Sequence, residues 1–189
     1  GAFVECGVWK GGCVGLMALA NLAHSDTRRA IHLFDSFEGI PEPRAGVDGS
    51  AAEEFARKAG GGVSGALKAL PDQYGGVGTV EVVQSLLHDQ IGYPREHSHY
   101  HVGWFQDTVP LASDVGPIAI LRLDGDWYDS TIVCLRHLYD KVVPGGFVIV
   151  DDYGAYEGCR KAVDEFVAGL AAPVFLSHLD RWGRYWIKN

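Results

Sequence analysis

Leu121-Arg122-Leu123-Asp124-Gly125-Asp126-Trp127-Tyr128-Asp129, read together with Val150-Asp151-Asp152, decides the fold. In both stretches an apolar run stops at acidic residues. Residues 118–123 are apolar except for Arg122, and residues 147–150 are apolar throughout, the composition of strands covered on both faces. Two such strands belong side by side in an open, mostly parallel sheet, whose carboxyl edge is where ligands bind. Asp124, Asp126, Asp151 and Asp152 are therefore expected at one edge. Carboxylates gathered there repel one another unless a hard cation neutralises them, and an oxygen-rich set suits Mg²⁺, Ca²⁺ or Mn²⁺. Arg122 is expected to neutralise one of them. Helix capping accounts for Asp129 and Asp152 but not for Asp124 and Asp126 together. The pattern points to a metal-assisted enzyme.

The rest of the chain alternates in the same way. Residues 2–6 read as a strand, Gly7-Val8-Trp9-Lys10-Gly11-Gly12 as a glycine turn, and 13–23 as a buried helix with apolar residues at 13, 14, 16, 17, 19, 20 and 22. A second strand at 30–35 completes a βαβ beginning. A helix over 80–91 ends at Gly92-Tyr93-Pro94, and 97–102 is a polar strand suited to a sheet edge. A helix over 130–143 breaks at Pro144-Gly145-Gly146. Ala162, Val163, Phe166, Val167 and Leu170 form one helix face, and 174–179 with 185–188 reads as a closing antiparallel hairpin. Residues 44–79 are Gly-rich with weak helical patterns at 51–59 and 63–70, and read as an insertion or lid. The expectation is a single α/β domain over 1–189, Rossmann-like, with a mostly parallel central sheet, helices on both faces and a mixed edge.

A chain of 189 residues, 47% of them hydrophobic, suffices for one full core. The net charge of -8 argues against a nucleic-acid or anionic-membrane partner, and no apolar run approaches the ~20 residues of a membrane span. Cys6, Cys13, Cys134 and Cys159 lack metal-finger spacing and read as reduced, buried thiols of a cytoplasmic protein. The chain opens inside a strand at Gly1, without Met, so an upstream segment is expected to be missing.

The glycine turn lacks the G-x-G-x-x-G pattern, which argues against a dinucleotide cofactor. Glu5, at the end of the first strand, would repel a pyrophosphate. It suits a ligand with positive charge, such as the amino and sulfonium groups of S-adenosylmethionine. Asp35, ending the second strand, can accept from both hydroxyls of a ribose. If the strand before Asp124 continued, Asp124 and Asp126 would point the same way, one to hold a metal and the other to touch the substrate. Trp104, Phe105, Trp127 and Tyr128 are candidates to wall an adenine or sugar pocket. His88, His97, His99 and His101 lie in a polar loop and edge strand and read as surface histidines.

Five motifs in this order resemble the macrocin O-methyltransferase (TylF-type) family: Val4 to Gly12, Phe34 to Pro41, Gly103 to Pro110, Leu121 to Thr131, and Val150 to Gly154 with Arg160 to Asp164. The resemblance implies a class I methyltransferase fold, S-adenosylmethionine and Mg²⁺ as cofactors, and a small glycosylated natural product as acceptor. It assigns Glu5, Gly7 and Gly11 to the methionine moiety, Asp35 and Ser36 to the ribose, and Trp104 and Phe105 to the adenine. Asp124, Asp151 and Asp152 would hold Mg²⁺, with Asp126 as base. Members usually carry a helical segment before the first strand that covers the acceptor and builds a dimer. That segment is expected to be missing from the sequence, and a homo-oligomer, a dimer above others, is still expected. A catechol-like or other small phenolic acceptor, and a truncated cofactor-binding domain without turnover, stand as alternatives.

Overall fold

The computed structural model describes residues 1–189. Its strands are β1 (Ala2–Cys6), β2 (Ile31–Asp35), β3 (Ser98–Val102), β4 (Ile118–Leu123), β5 (Val142–Val150), β6 (Ser177–His178) and β7 (Arg184–Ile187). They form one sheet in the order β3-β2-β1-β4-β5-β7-β6. The first five run parallel, and β7 joins antiparallel to both β5 and β6, which is the mixed edge the sequence suggests. From β1 the chain builds outward to β2 and β3, then crosses back to place β4 on β1's other side. That reversal opens a crevice at the carboxyl ends of β1 and β4.

The helices are α1 (Gly12–His24), α2 (Ser50–Lys58), α3 (Val80–Gln84), α4 (Phe105–Thr108), α5 (Tyr128–Leu138) and α6 (Glu157–Ala168). Strand alternation divides the core between the sheet's two faces. Phe3 of β1 packs with Val14, Ala18, Ile31, Leu33 and Val83. Val4 and Cys6 point the other way, into the larger cluster with Leu121, Leu123, Leu135 and Leu138.

Several boundaries differ from the pattern-based expectation, each for a local reason. Helix α1 buries only Val14, Gly15, Ala18 and Asn21, leaving Leu16 and Leu19 at 68% and 50% exposure and Cys13 exposed. A helix lying on a sheet buries one stripe, and the apolar positions of α1 extend beyond it. The other three cysteines are buried, and all four are free thiols. The second weak pattern in the insertion is not a helix. Residues 63–70 are held extended by bridges Arg44↔Ser64 and Pro41↔Ala69, with Glu42 accepting from the Gly62 amide and the Ser64 hydroxyl. Helix α5 stops at Leu138, because Pro144 favours extended backbone before it and Val142 already pairs with Ile118. Pro144-Gly145-Gly146 then loops out of β5 as a bulge, with Gly145 at φ +80 donating to the Lys188 carbonyl. The helix expected at 80–91 runs as α3 over Val80–Gln84 and then widens into a π-helical segment over Ser85–Gln90.

The insertion docks through Asp48, a buried carboxylate that accepts from the amides of Tyr128 and Arg44 at 2.8 and 2.6 Å. It caps α5 from outside, since Trp127, the residue before that helix, has no capping side chain.

Gly7 admits no side chain: it sits at φ +89, and a Cβ there would lie 1.8 Å from the Asp124 carbonyl oxygen. Gly12 has open space around its Cβ position. Gly7→Ala is expected to cost about 3 kcal/mol or more, lowering Tm by roughly 6–12 °C, while Gly12→Ala leaves Tm within about 2 °C of the parent. Paired thermal melts check this, and equal effects of the two substitutions would contradict it.

Candidate active site

Four strand ends are stitched together by three bonds one rung beyond the sheet. The Gly7 amide donates to Phe34, the Asp124 amide to Cys6 and the Asp151 amide to Leu123. This seats Asp124 beside Asp151, and carboxylate oxygens of Asp124, Asp151 and Asp152 lie within 4.8 Å of one another. Asp126 does not continue the strand. It turns into the left-handed region at φ +58, uncommon for a residue other than glycine, and its amide donates to Asp152 Oδ2 at 3.1 Å. The same-face relation with Asp124 expected from a strand period is therefore replaced by a turn.

Arg122 does more than neutralise a single carboxylate. One guanidinium nitrogen donates to both Glu5 Oε1 and Asp124 Oδ2 and the other to Asp151 Oδ1, each at 2.9 Å. Glu5 and Arg122 are directly opposed in the β1–β4 register. One cation thus serves three carboxyls, while Asp126 and Asp152 have no basic partner. Burial disfavours the guanidinium's charge, but the three acids outweigh it and hold Arg122 more firmly protonated than usual. The carboxyls move the other way. Burial pushes Glu5 up to about 8 against the opposing pull of Arg122, because that cation is divided. Burial, then repulsion from neighbouring acids, raises Asp126, and the same two causes raise Asp152 and Asp151. A cluster in this state favours an added positive charge. Its three hard oxygen donors on two adjacent strand ends fit a divalent ion such as Mg²⁺.

The cluster forms one wall of a cavity of about 530 Å³ at the carboxyl edge, lined also by Gly7, Asp35, Ser36, Trp104 and Phe105. Of the residues expected at the site, Glu5 and Gly11 do not line it. Glu5 is 1% exposed beneath the turn, with Oε2 lacking a hydrogen-bond partner. Gly11, at φ +84, starts α1 and lets Val83 and Leu86 pack against the turn. Asp35 lies in the cavity but also braces the glycine turn: Oδ2 accepts from the Val8 and Trp9 amides and Oδ1 from Phe37. The Ser36 hydroxyl is engaged in its own turn with Gly39. Trp127 is buried, bonded to the Pro41 carbonyl and packed edge-on against Tyr156, and Tyr128 bonds to Glu165, so neither walls the cavity.

Residues not foreseen from sequence also contribute large side chains to the lining: Trp9, Ile40, Pro41, Gln73, Tyr74, Tyr156 and Trp182. Four of them come from the insertion or its approach. They carry no periodic signal, and only the fold gathers them. Trp9 and Lys10 bond to the carbonyls of Gly76 and Gly75, drawing that loop over the glycine turn. The histidines also depart from expectation. His88 is tied to the Tyr93 carbonyl and the Tyr100 hydroxyl, and His99 and His101 are half-buried against His32 on β2.

Residues 1–188 match the family model described as Macrocin-O-methyltransferase (TylF). The chain is 37% identical over 189 residues to the 8-demethyl-8-(2,3-dimethoxy-alpha-L-rhamnosyl)-tetracenomycin-C 4'-O-methyltransferase of Streptomyces olivaceus, covering 98% of this chain and 65% of that one. It is 38% identical over 189 residues to the demethyldecarbamoylnovobiocin O-methyltransferase of Streptomyces niveus, covering 100% of this chain and 66% of that one. The chain therefore spans about two thirds of the length of these relatives. Among solved structures, the O-methyltransferase NovP superposes with a TM-score of 0.78 at 36% identity, covering 100% of this chain and 72% of that one.

Replacing Arg122 with Met removes the shared cation and leaves buried acids unpaired, at an expected cost of about 3–5 kcal/mol near pH 8. Without the guanidinium the folded-state carboxyl pKa values rise further above their unfolded values. The folded state then binds more protons than the unfolded one through that window, so the variant loses stability as pH rises and regains it as pH falls toward 5. Urea unfolding of both proteins in EDTA from pH 5 to 8 checks this. A stability gap independent of pH would show that Arg122 acts through packing alone.

Proposed function

The chain belongs to the macrocin O-methyltransferase (TylF) family, and on that premise we propose that it transfers a methyl group from S-adenosylmethionine to a sugar hydroxyl of a glycosylated small molecule. The observation that carries the proposal is one cavity lined together by Gly7 of the glycine turn, Asp35 and the four aspartates Asp124, Asp126, Asp151 and Asp152.

In this reading the cofactor lies along the turn. Gly7, having no side chain, lets it approach the backbone. Asp35, which gives three of its roughly four acceptor positions to the turn, retains one on Oδ1 for a ribose hydroxyl, and Trp104 and Phe105 flank the adenine. Ser36 supports the same region. Glu5 and Gly11, set back from the cavity, act indirectly: Glu5 orients Arg122, and Gly11 fixes the start of α1. Tyr74, Tyr156 and Trp182 offer aromatic faces against which a sugar ring can rest. Residues 44–79, which contribute Gln73, Tyr74 and Gly78 to the lining, act as the acceptor-side lid of a single domain.

Asp124, Asp151 and Asp152 would hold Mg²⁺. When bound, Mg²⁺ supplies Lewis acidity that lowers the pKa of a coordinated hydroxyl. Asp126 accepts the hydroxyl proton on a carboxylate oxygen while the sugar oxygen bonds to the methyl carbon and the sulfur–carbon bond breaks, leaving S-adenosylhomocysteine. The turn at Gly125-Asp126 and the amide bond to Asp152 hold Asp126 beside the cluster. Orientation of acceptor and donor within one cavity supplies a large part of the rate. We place the enzyme in the cytoplasm, where its thiols stay reduced, as a homodimer without nucleic-acid or membrane partners.

The proposal is checked by calorimetry with S-adenosylhomocysteine and by turnover on rhamnosylated and catechol acceptors. Asp126→Asn is expected to lower kcat roughly 10²–10⁴-fold while cofactor affinity stays within about threefold. EDTA abolishes turnover and Mg²⁺ restores it. Undiminished turnover after thorough chelation would remove the metal, turnover on catechols alone would change the acceptor, and absence of cofactor binding would overturn the whole reading.

A further inference from the structure

A second group of metal-ligating side chains stands apart from the aspartate cavity, at the β2–β3 edge. The parallel register pairs His32 with His99 and Phe34 with His101, so both β3 histidines lie on the sheet face that carries His32. The rings stack, His99 on His32 at 4.6 Å between centroids and His101 on Phe34 at 4.0 Å. His32 Nδ1 lies 3.1 Å from His101 Nε2. Asp114, from the loop before β4, places Oδ2 at 3.8 Å from each of those nitrogens.

These three separations are close to the edge of a small coordination tetrahedron. Ligands about 2.0–2.1 Å from a tetrahedral ion stand about 3.3–3.4 Å apart, so the donors need shift by less than about half an ångström to share one ion. We propose that His32, His101 and Asp114 form a binding site for a divalent ion of the Zn²⁺ class, with the remaining position open to water.

The supporting parts are fixed. His32 is 2% exposed, whereas Asp114 is half-exposed at the outer end of the site, giving an ion a path in from solvent. The Asp114 loop is clasped by Lys141, whose ammonium donates to the carbonyls of Ala112 and Val115 at 2.9 Å. Lys141 is also the one nearby cation that opposes binding, and Asp114 offsets it. Two imidazoles and one carboxylate select borderline ions such as Zn²⁺ over Mg²⁺, the opposite preference to the all-oxygen cluster in the cavity. A bound ion would tie the edge strand β3 to β2 and to the loop entering β4. It draws on none of the residues assigned to methyl transfer, so it stands whether or not that reading does.

Zn²⁺ titration of the tag-free, EDTA-stripped full chain tests the site by calorimetry, with Cu²⁺ electron paramagnetic resonance to identify the ligands. The expected result is one site of micromolar or tighter Kd, insensitive to excess Mg²⁺. It persists in the Asp151→Asn/Asp152→Asn double variant and is weakened at least tenfold in His101→Gln and in Asp114→Asn. Asp114 is exposed enough that its substitution leaves the fold intact, and Zn²⁺ should raise Tm in the parent but not in that variant. The Cu²⁺ spectrum should carry coupling to two imidazole nitrogens. Zn²⁺ affinity unchanged by both single substitutions, loss of binding in the double variant instead, or a spectrum without nitrogen coupling would overturn the proposal.

Discussion

The structure depends on how one guanidinium is shared. Arg122, inside the sheet on β4, meets Glu5 across the β1–β4 ladder and reaches Asp124 and Asp151 at the tips of β4 and β5. Burying charges is costly unless they are paired and hydrogen-bonded, so this contact permits acidic residues at three neighbouring positions of a parallel sheet. It also leaves the account unbalanced, since five carboxyls converge on a single positive charge. The excess lies on the cavity side, with Asp126 and Asp152, and it is there that an additional cation is favoured.

Backbone strain is concentrated around the same crevice. The three non-glycine residues at positive φ are Trp9, Phe37 and Asp126, following β1, β2 and β4 respectively. Each lies just beyond a strand whose end lines the cavity. Conformations of this kind persist only where surrounding structure fixes them, and here Asp35 accepts from the amides of Trp9 and Phe37 while Asp152 accepts from that of Asp126. The carboxylates that form the site are thus also the groups that hold its backbone in place.

How much of this was legible in the sequence follows from how local each signal is. The buried strands β4 and β5 and the acids after them could be read from apolar runs that end abruptly, as could β1, β2 and the antiparallel close. The sharing of Arg122 was not, because it depends on register between strands more than a hundred residues apart in sequence. The retreat of Glu5 and Gly11 from the cavity surface has the same origin. Tyr74, Tyr156 and Trp182 reach the cavity from irregular segments, where neither period nor spacing marks a residue as lining. The histidines of β3 read as polar surface because the stacking of His32 with His99 and His101 exists only once β2 and β3 are in register.

The central claim is that the tips of β4 and β5 leave a place for a divalent ion beside Arg122 rather than one already filled by it. Anomalous diffraction from crystals grown with Mn²⁺ and S-adenosylhomocysteine measures this directly. A single strong peak coordinated by oxygens of Asp124, Asp151 and Asp152 is expected, with Arg122 still bonded to Glu5. No peak at that position, with the guanidinium occupying the space between the three carboxylates, would contradict it.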